Sequence, residues 1–158
     1  MTLIAAIRIR GGVHLKPDTK KTLELLGLGK NNSMVLVADR PETRGMLSKA
    51  QSFIAFGEID QETLETLLRK RGKKTRDATN AETGTKPKGK NAEAESFDKL
   101  AAQLLAGKKP EEIGIQNFFR LKAPRKGFER LGIKQAFVIG GASGNRGTEI
   151  NALLKRMV

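Results

Sequence analysis

The sequence predicts an α+β fold, with a small β-α-β-α-β core over residues 1–58 and a helical, loop-rich C-terminal extension over residues 59–158. Three observations lead there. Short aliphatic, β-branched runs alternate with leucines at helical spacing through the first 58 residues. Prolines and glycines punctuate most of the switches between the two patterns. Beyond residue 58, helix-like stretches are separated by basic segments with little apolar content.

Leu3, Ala5, Ile7 and Ile9 alternate with Ile4, Ala6, Arg8 and Arg10, the period of a strand whose second face turns cationic towards Gly11. Pro17 suits the first turn of a helix, Leu23 and Leu26 give it an apolar side, and Gly27 ends it. Met34 to Ala38 reads as a buried strand. Arg40-Pro41-Glu42 opens a short helix through Met46 and Leu47, and Phe53 to Phe56 reads as a third strand closed by Gly57.

In the extension, Asp60 is an N-cap for a helix over 60–71. Its apolar stripe is Ile59, Leu64, Leu67 and Leu68, and Arg69, Lys70 and Arg71 sit in its last turn before Gly72. Residues 73–92 hold six cations and two carboxylates with no large apolar side chain, so they read as a flexible basic loop that orders against a partner. Ser96 caps a helix over 96–106 carrying Leu100, Leu104 and Leu105. A basic loop over 116–130 follows. Ala136 to Ile139 then reads as a strand, and after a glycine-rich turn Thr148 to Met157 makes a helix faced by Ile150, Leu153, Leu154 and Met157. These last two form a C-terminal strand and helix over 135–157.

Charge narrows the function. The 158 residues carry 30 Lys and Arg against 17 Asp and Glu, a formal net charge of +13, a field that favours a polyanionic partner. The absence of cysteine removes disulfides, thiolate catalysis and cysteine metal sites, and a single histidine, His14, cannot build a metal cage or a relay. The longest apolar run, Leu3 to Ile7, is too short to span a membrane and is followed at once by Arg8 and Arg10. The expectation is a soluble cytoplasmic protein with no cofactor and no metal.

Candidate chemistry is sparse. The run Gly140-Gly141-Ala142-Ser143-Gly144-Asn145-Arg146-Gly147 lies between an expected strand and helix, where backbone N–H groups could meet a phosphate. It matches neither the dinucleotide fingerprint nor a P-loop, so an RNA phosphate site and a structural tight turn stand as equal readings. Gly27-Leu28-Gly29-Lys30-Asn31-Asn32 is better explained as a helix C-cap and turn. No carboxylate pair or nucleophile–base arrangement supports catalysis.

The segment Asn117 to Phe128 is more informative. It carries Arg120, Lys122, Arg125 and Lys126, three phenylalanines, and no acid. At least two of the phenylalanines are expected to pack beneath the loop, while the cations, which have no evident structural purpose, point to RNA phosphates. With no Tyr or Trp, recognition of folded RNA by shape and phosphate suits the composition better than stacking on a sheet.

Several motifs, in order along the chain, resemble the family of large-subunit ribosomal protein thirty, universal uL-thirty, which is called seven in eukaryotes. They are Ile7-Arg8-Ile9-Arg10-Gly11, Thr22-Leu23-Glu24-Leu25-Leu26, Gly45-Met46-Leu47, Phe56-Gly57-Glu58-Ile59-Asp60 and Leu67-Leu68-Arg69-Lys70-Arg71-Gly72. Phe118-Phe119-Arg120-Leu121, Pro124-Arg125-Lys126-Gly127-Phe128 and Gly144-Asn145-Arg146-Gly147-Thr148-Glu149-Ile150-Asn151 continue the series. The match looks like the longer archaeal form, the short bacterial form corresponding only to about residues 1–58. One departure is Ala123, where the family's loop often has a proline.

The resemblance implies a ferredoxin-like core and a structural role in the ribosome, bound to large-subunit rRNA beside neighbouring large-subunit ribosomal proteins, with contacts near 5S rRNA. It implies core rRNA contacts at Arg8, Arg10, Lys30, Arg44 and Gly45, and extension contacts at Arg120, Arg125, Lys126, Asn145 and Arg146. The expected function is therefore a non-enzymatic rRNA-binding constituent of the large subunit. A free RNA-binding or RNA-chaperone protein shares the same charge pattern, and a nucleotide-using enzyme built on the 140–147 turn is a third, weaker reading.

Overall fold

The computed structural model describes residues 3–13, 15–73, 100–104, 110, 113 and 115–158. Strand β1 (Leu3–Arg8) is buried along its whole length, as expected of a run apolar on both sides of the pleat. It pairs antiparallel with β2 (Ser33–Ala38), Ile4 facing Val37, and antiparallel with β3 (Ile54–Glu58), Ala6 facing Phe56. Helices α1 (Pro17–Leu25) and α2 (Pro41–Ala50) form the two crossovers, each opened by a proline whose missing N–H has no partner to lose there. Gly27, with φ +74°, ends the first crossover helix as the sequence predicts.

Alternation along the strands divides the core in two. Ile4, Ala6, Val35 and Ile54 pack on one face with Leu23, Leu26, Leu28, Leu47 and Ala50 of the crossovers. Leu3, Ala5, Ile7, Met34, Leu36 and Ala55 face the other side, covered by α3 (Gln61–Arg71) and the terminal helix α4 (Ile150–Met157). Leu64, Leu67, Leu68, Leu153 and Leu154 are fully buried there, each worth about 1.5–3 kcal/mol relative to exposure.

The C-terminal chain also closes both sheet edges. Strand β4 (Phe119–Arg120) adds antiparallel to β2, and β5 (Gly144–Asn145) adds parallel to β3, giving the order β4-β2-β1-β3-β5. Asn117 extends the first edge, its Oδ1 accepting the Leu36 N–H at 3.0 Å. Unpaired edge groups invite aggregation, and here two short strands cover them.

The structure corrects three local expectations. Ala136 to Ile139 is not a strand: Phe137–Ile139 forms a 3₁₀ turn with Val138 90% exposed, and only Ala136 makes an isolated bridge, to Ser143. Gly57 does not close the third strand but lies inside it. A Cβ there would collide with the Gly147 carbonyl oxygen, so glycine is what lets the 147 turn close on β3. Asp60 stands at the N-cap position of α3, but its side chain makes no capping bond; its own N–H donates to Asn151 Oδ1 at 3.0 Å.

Residues 100–104 are helical, within the expected helix over 96–106. The rest of that helix, apart from residues 100–104, lies outside the described residues, as do His14 and the 73–92 loop beyond Lys73. No helix among the described residues is long and apolar enough to cross a membrane.

Candidate nucleic-acid interface

At the end of β1, Arg8 is buried. Its Nη1 donates to the carbonyls of Leu28 (2.8 Å) and Gly29 (2.7 Å), and its Nε to Arg10 O at 3.1 Å. Burial pulls this guanidinium below its ordinary pKa. With Nη1 and Nε engaged inside the fold, Arg8 braces the 28–32 turn, while the residue also lines a cleft of about 270 Å³ with Gly11, Gly12 and Lys20. The turn is further fixed by Asn32 N–H donating to Arg8 O (2.8 Å) and by a short bond from Ser33 Oγ to Lys30 O, which leaves Lys30 exposed at its tip. Arg10 is half-buried, its guanidinium 5.1 Å from the centre of the Phe53 ring.

On α2, Arg44 is exposed and forks onto Asp39, Nε to Oδ1 and Nη2 to Oδ2. That pairing raises its pKa. Asp39 therefore orients Arg44 and also offsets its charge. Gly45 beside it is exposed, and a Cβ added there would meet nothing. Arg44 and Asn145, about a hundred positions apart in sequence, line one cleft of about 410 Å³ with Asp39, Phe56 and Glu58. Two carboxylates in that lining make the cleft electrostatically mixed.

The loop after β4 is built differently. Its backbone is pinned: Leu121 N–H donates to Asn32 O (2.8 Å), Lys122 N–H to Met157 O (3.1 Å) and Arg125 N–H to Arg156 O (3.0 Å). Arg156 Nη1 adds a bond to Gly127 O at 3.2 Å, and Gly127 N–H closes a turn onto Pro124 O at 3.0 Å. Phe119 is buried and Phe128 packs partly on the same core, so two of the three phenylalanines lie under the loop as expected, while Phe118 is 40% exposed. The side chains of Arg120, Lys122, Arg125 and Lys126 are all exposed. The register of β4 puts Arg120 opposite Ser33, next to the Lys30 turn, so Lys30 joins this basic band.

Arg146 has an internal position. Its side chain is 1% exposed; Nη1 and Nη2 fork onto Glu129, Nε and Nη2 donate to Ala142 O, and the guanidinium lies 4.6 Å from the centre of the Phe137 ring. Glu129 also accepts from Arg156 Nη2 at 2.9 Å. Burial alone would raise the Glu129 carboxyl, but the hydrogen bonds and charge of Arg146, a backbone bond and Arg156 outweigh it and hold it down to about 2.

The 140–147 run resolves as a structural turn. Gly140 and Gly141 N–H groups donate to Phe137 O and Ala136 O, Ala142 and Ser143 N–H groups to Gln135 O, and Arg146 N–H to Phe56 O. Gly147 N–H is taken by Asn145 Oδ1 at 2.9 Å. Those donors are engaged within the fold and are not turned outward towards a phosphate. Among the described residues, no cluster of His, Asp and Glu could hold a metal ion.

One residue with no assigned role in the sequence joins the C-terminal helix to the sheet. Asn151 accepts from Asp60 N–H and donates through Nδ2 to Glu58 O (3.0 Å) and Thr148 O (2.8 Å), tying α4 to the β3–α3 junction. Its only sequence signal is its place at the end of the Gly144–Asn151 motif.

Comparison with known proteins finds relatives along the whole chain. The family model described as "Ribosomal protein L30p/L7e" matches residues 4–54. A "Large ribosomal subunit protein uL30" of Nanoarchaeum equitans is 41% identical over 159 residues, covering 100% of both chains. Proteins of the same description from Aeropyrum pernix (38% identical, 100% of both chains) and Methanococcus maripaludis (36%, 98% of both) are similar along the same length.

Proposed function

Because the chain belongs to the ribosomal protein L30p/L7e family, we propose that it is a structural constituent of the large ribosomal subunit that binds folded rRNA without catalysis, in cytoplasmic ribosomes. The observation that carries this reading is the basic band formed by Lys30, Arg120, Lys122, Arg125 and Lys126, exposed cations carried on a backbone fixed by hydrogen bonds. A fixed backbone lowers the ordering cost of gripping phosphates, and each phosphate neutralised releases counterions. Arg10, Arg44 with Gly45, and Asn145 are secondary contacts beside the sheet. Arg8 and Arg146 act indirectly, as posts that hold the 28–32 turn and the 129–146 loop in place. In this division, residues 1–58 dock as the core and the extension closes the sheet and spreads the grip towards neighbouring proteins and 5S rRNA.

The test is equilibrium binding of the full chain to large-subunit and small-subunit rRNA at several salt concentrations. The expected result is a linear fall of log K with log salt, together with tighter binding to large-subunit rRNA at each concentration. Equal affinity for both RNAs would favour a general RNA chaperone instead.

A further inference from the structure

A groove lies where the C-terminal end of α3 meets β4, and of its residues only Arg120 has a role so far. It encloses about 310 Å³ and is lined by Lys70, Arg71, Gly72, Lys73, Gln116, Phe118 and Arg120. That volume is near the lower end of the roughly 300–1,000 Å³ typical of small-ligand clefts. The bond from Gln116 N–H to Lys73 O (2.9 Å) joins its two walls, so the groove belongs to the fold and does not depend on side-chain posture alone.

Basic residues at a helix C-terminus are explained in part by the helix dipole. Two further features are not. Arg71 Nε is buried with no hydrogen-bond partner among the described residues, an arrangement that costs free energy until an acceptor arrives. Phe118 is 40% exposed on the groove wall, while its neighbour Phe119 is buried at 1%. Among the described lining residues there are four cations and no carboxylate.

We propose that this groove holds one unstacked nucleotide of the bound RNA, and this rests on the RNA-binding reading above. The Phe118 ring stacks on the base, the Gln116 amide faces its polar edge, and Arg71 with Lys70, Lys73 and Arg120 takes the adjoining phosphate. An exposed ring covered by a base, and a guanidinium that turns its buried, unpartnered Nε–H towards an anionic oxygen, answer both features with one ligand. Stacking on an aromatic ring is sequence-tolerant, so the Phe118 contact anchors a flipped residue of any identity, and base preference is left to Gln116.

The test compares full-length wild type with Phe118→Ala, Phe118→Tyr and Arg71→Gln for binding to large-subunit rRNA, each variant checked for an unchanged melting temperature. Phe118→Ala should weaken binding about tenfold with the salt slope unchanged, and Phe118→Tyr should restore it. Arg71→Gln should also weaken binding and reduce the salt slope by about 0.7–0.9. A salt-dependent wild type whose binding is untouched by Phe118→Ala would overturn the groove while leaving the RNA-binding reading intact. Loss of incorporation into subunits with unchanged rRNA affinity would overturn it as well, assigning Phe118 to a protein contact. A wild type that fails to bind large-subunit rRNA would sink the parent reading itself.

Discussion

Replacing Glu129 with alanine is expected to lower the stability of the free protein by about 3 kcal/mol, measured by urea or thermal unfolding. The carboxylate accepts a forked pair from Arg146 and a further bond from Arg156. Arg146 keeps the Ala142 carbonyl and the Phe137 ring, but its Nη1 is left in a site where the side chain is 1% exposed. An uncompensated buried guanidinium, and not the lost Coulomb attraction alone, makes the expected effect large.

The same carboxyl gives the effect a pH signature. Its folded pKa, held down to about 2, lies below the ordinary 4.5 of the unfolded chain. Its contribution is therefore complete above pH 4.5 and is lost as pH falls from there towards 2. The stability gap between wild type and Glu129→Ala should narrow over that window. A constant gap down to pH 2 would show that the pair is not what sets the difference.

Replacing Arg120, Arg125 and Lys126 together with alanine should weaken binding to large-subunit rRNA on the order of a hundredfold near 0.1 M salt. The three side chains are exposed, and the bonds that pin their loop come from backbone groups and Arg156, so the fold should survive the change. If each cation meets one phosphate, the salt slope should fall by about 2–3 in magnitude. An unchanged slope would remove these three cations from the phosphate grip and leave Lys30, Lys122 and the α3-end cations Lys70, Arg71 and Lys73 to account for it.

The core was readable because its signals are local. Apolar alternation in Leu3–Ile9, prolines at positions 17 and 41, and the Leu64–Leu67–Leu68 stripe each report their own element. What escaped depends on distant partners. Strands β4 and β5 are two residues each and exist because the β1–β3 sheet offers them free edges. The apolar run Ala136–Ile139 carries a strand's composition but finds no partner strand, and folds as a 3₁₀ turn. Gly57 looked like a terminator because the turn that needs its missing Cβ lies ninety residues away.

The proposed binding surface divides on the same principle. Lys30, Arg120, Lys122, Arg125 and Lys126 were legible as cations in polar or turn-rich segments, and the structure exposes all five. Arg8 and Arg146 sit in equally basic motifs, yet their acceptors are the carbonyls of Leu28, Gly29 and Ala142 and the carboxylate of Glu129. Nothing in their own neighbourhoods distinguishes a bracing arginine from a phosphate-gripping one. Phe118 and Arg71 form a groove only because β4 returns to the end of α3.

The most direct measurement of the central claim is the copy number of this protein in large subunits purified through a high-salt sucrose gradient. Such salt strips loosely bound factors, whereas a constituent clasped at several sites within the assembled subunit is retained. Near one copy per large subunit, retained after the wash, is the predicted result. Recovery only at the top of the gradient would contradict a structural role in the subunit and leave a free RNA-binding protein in its place.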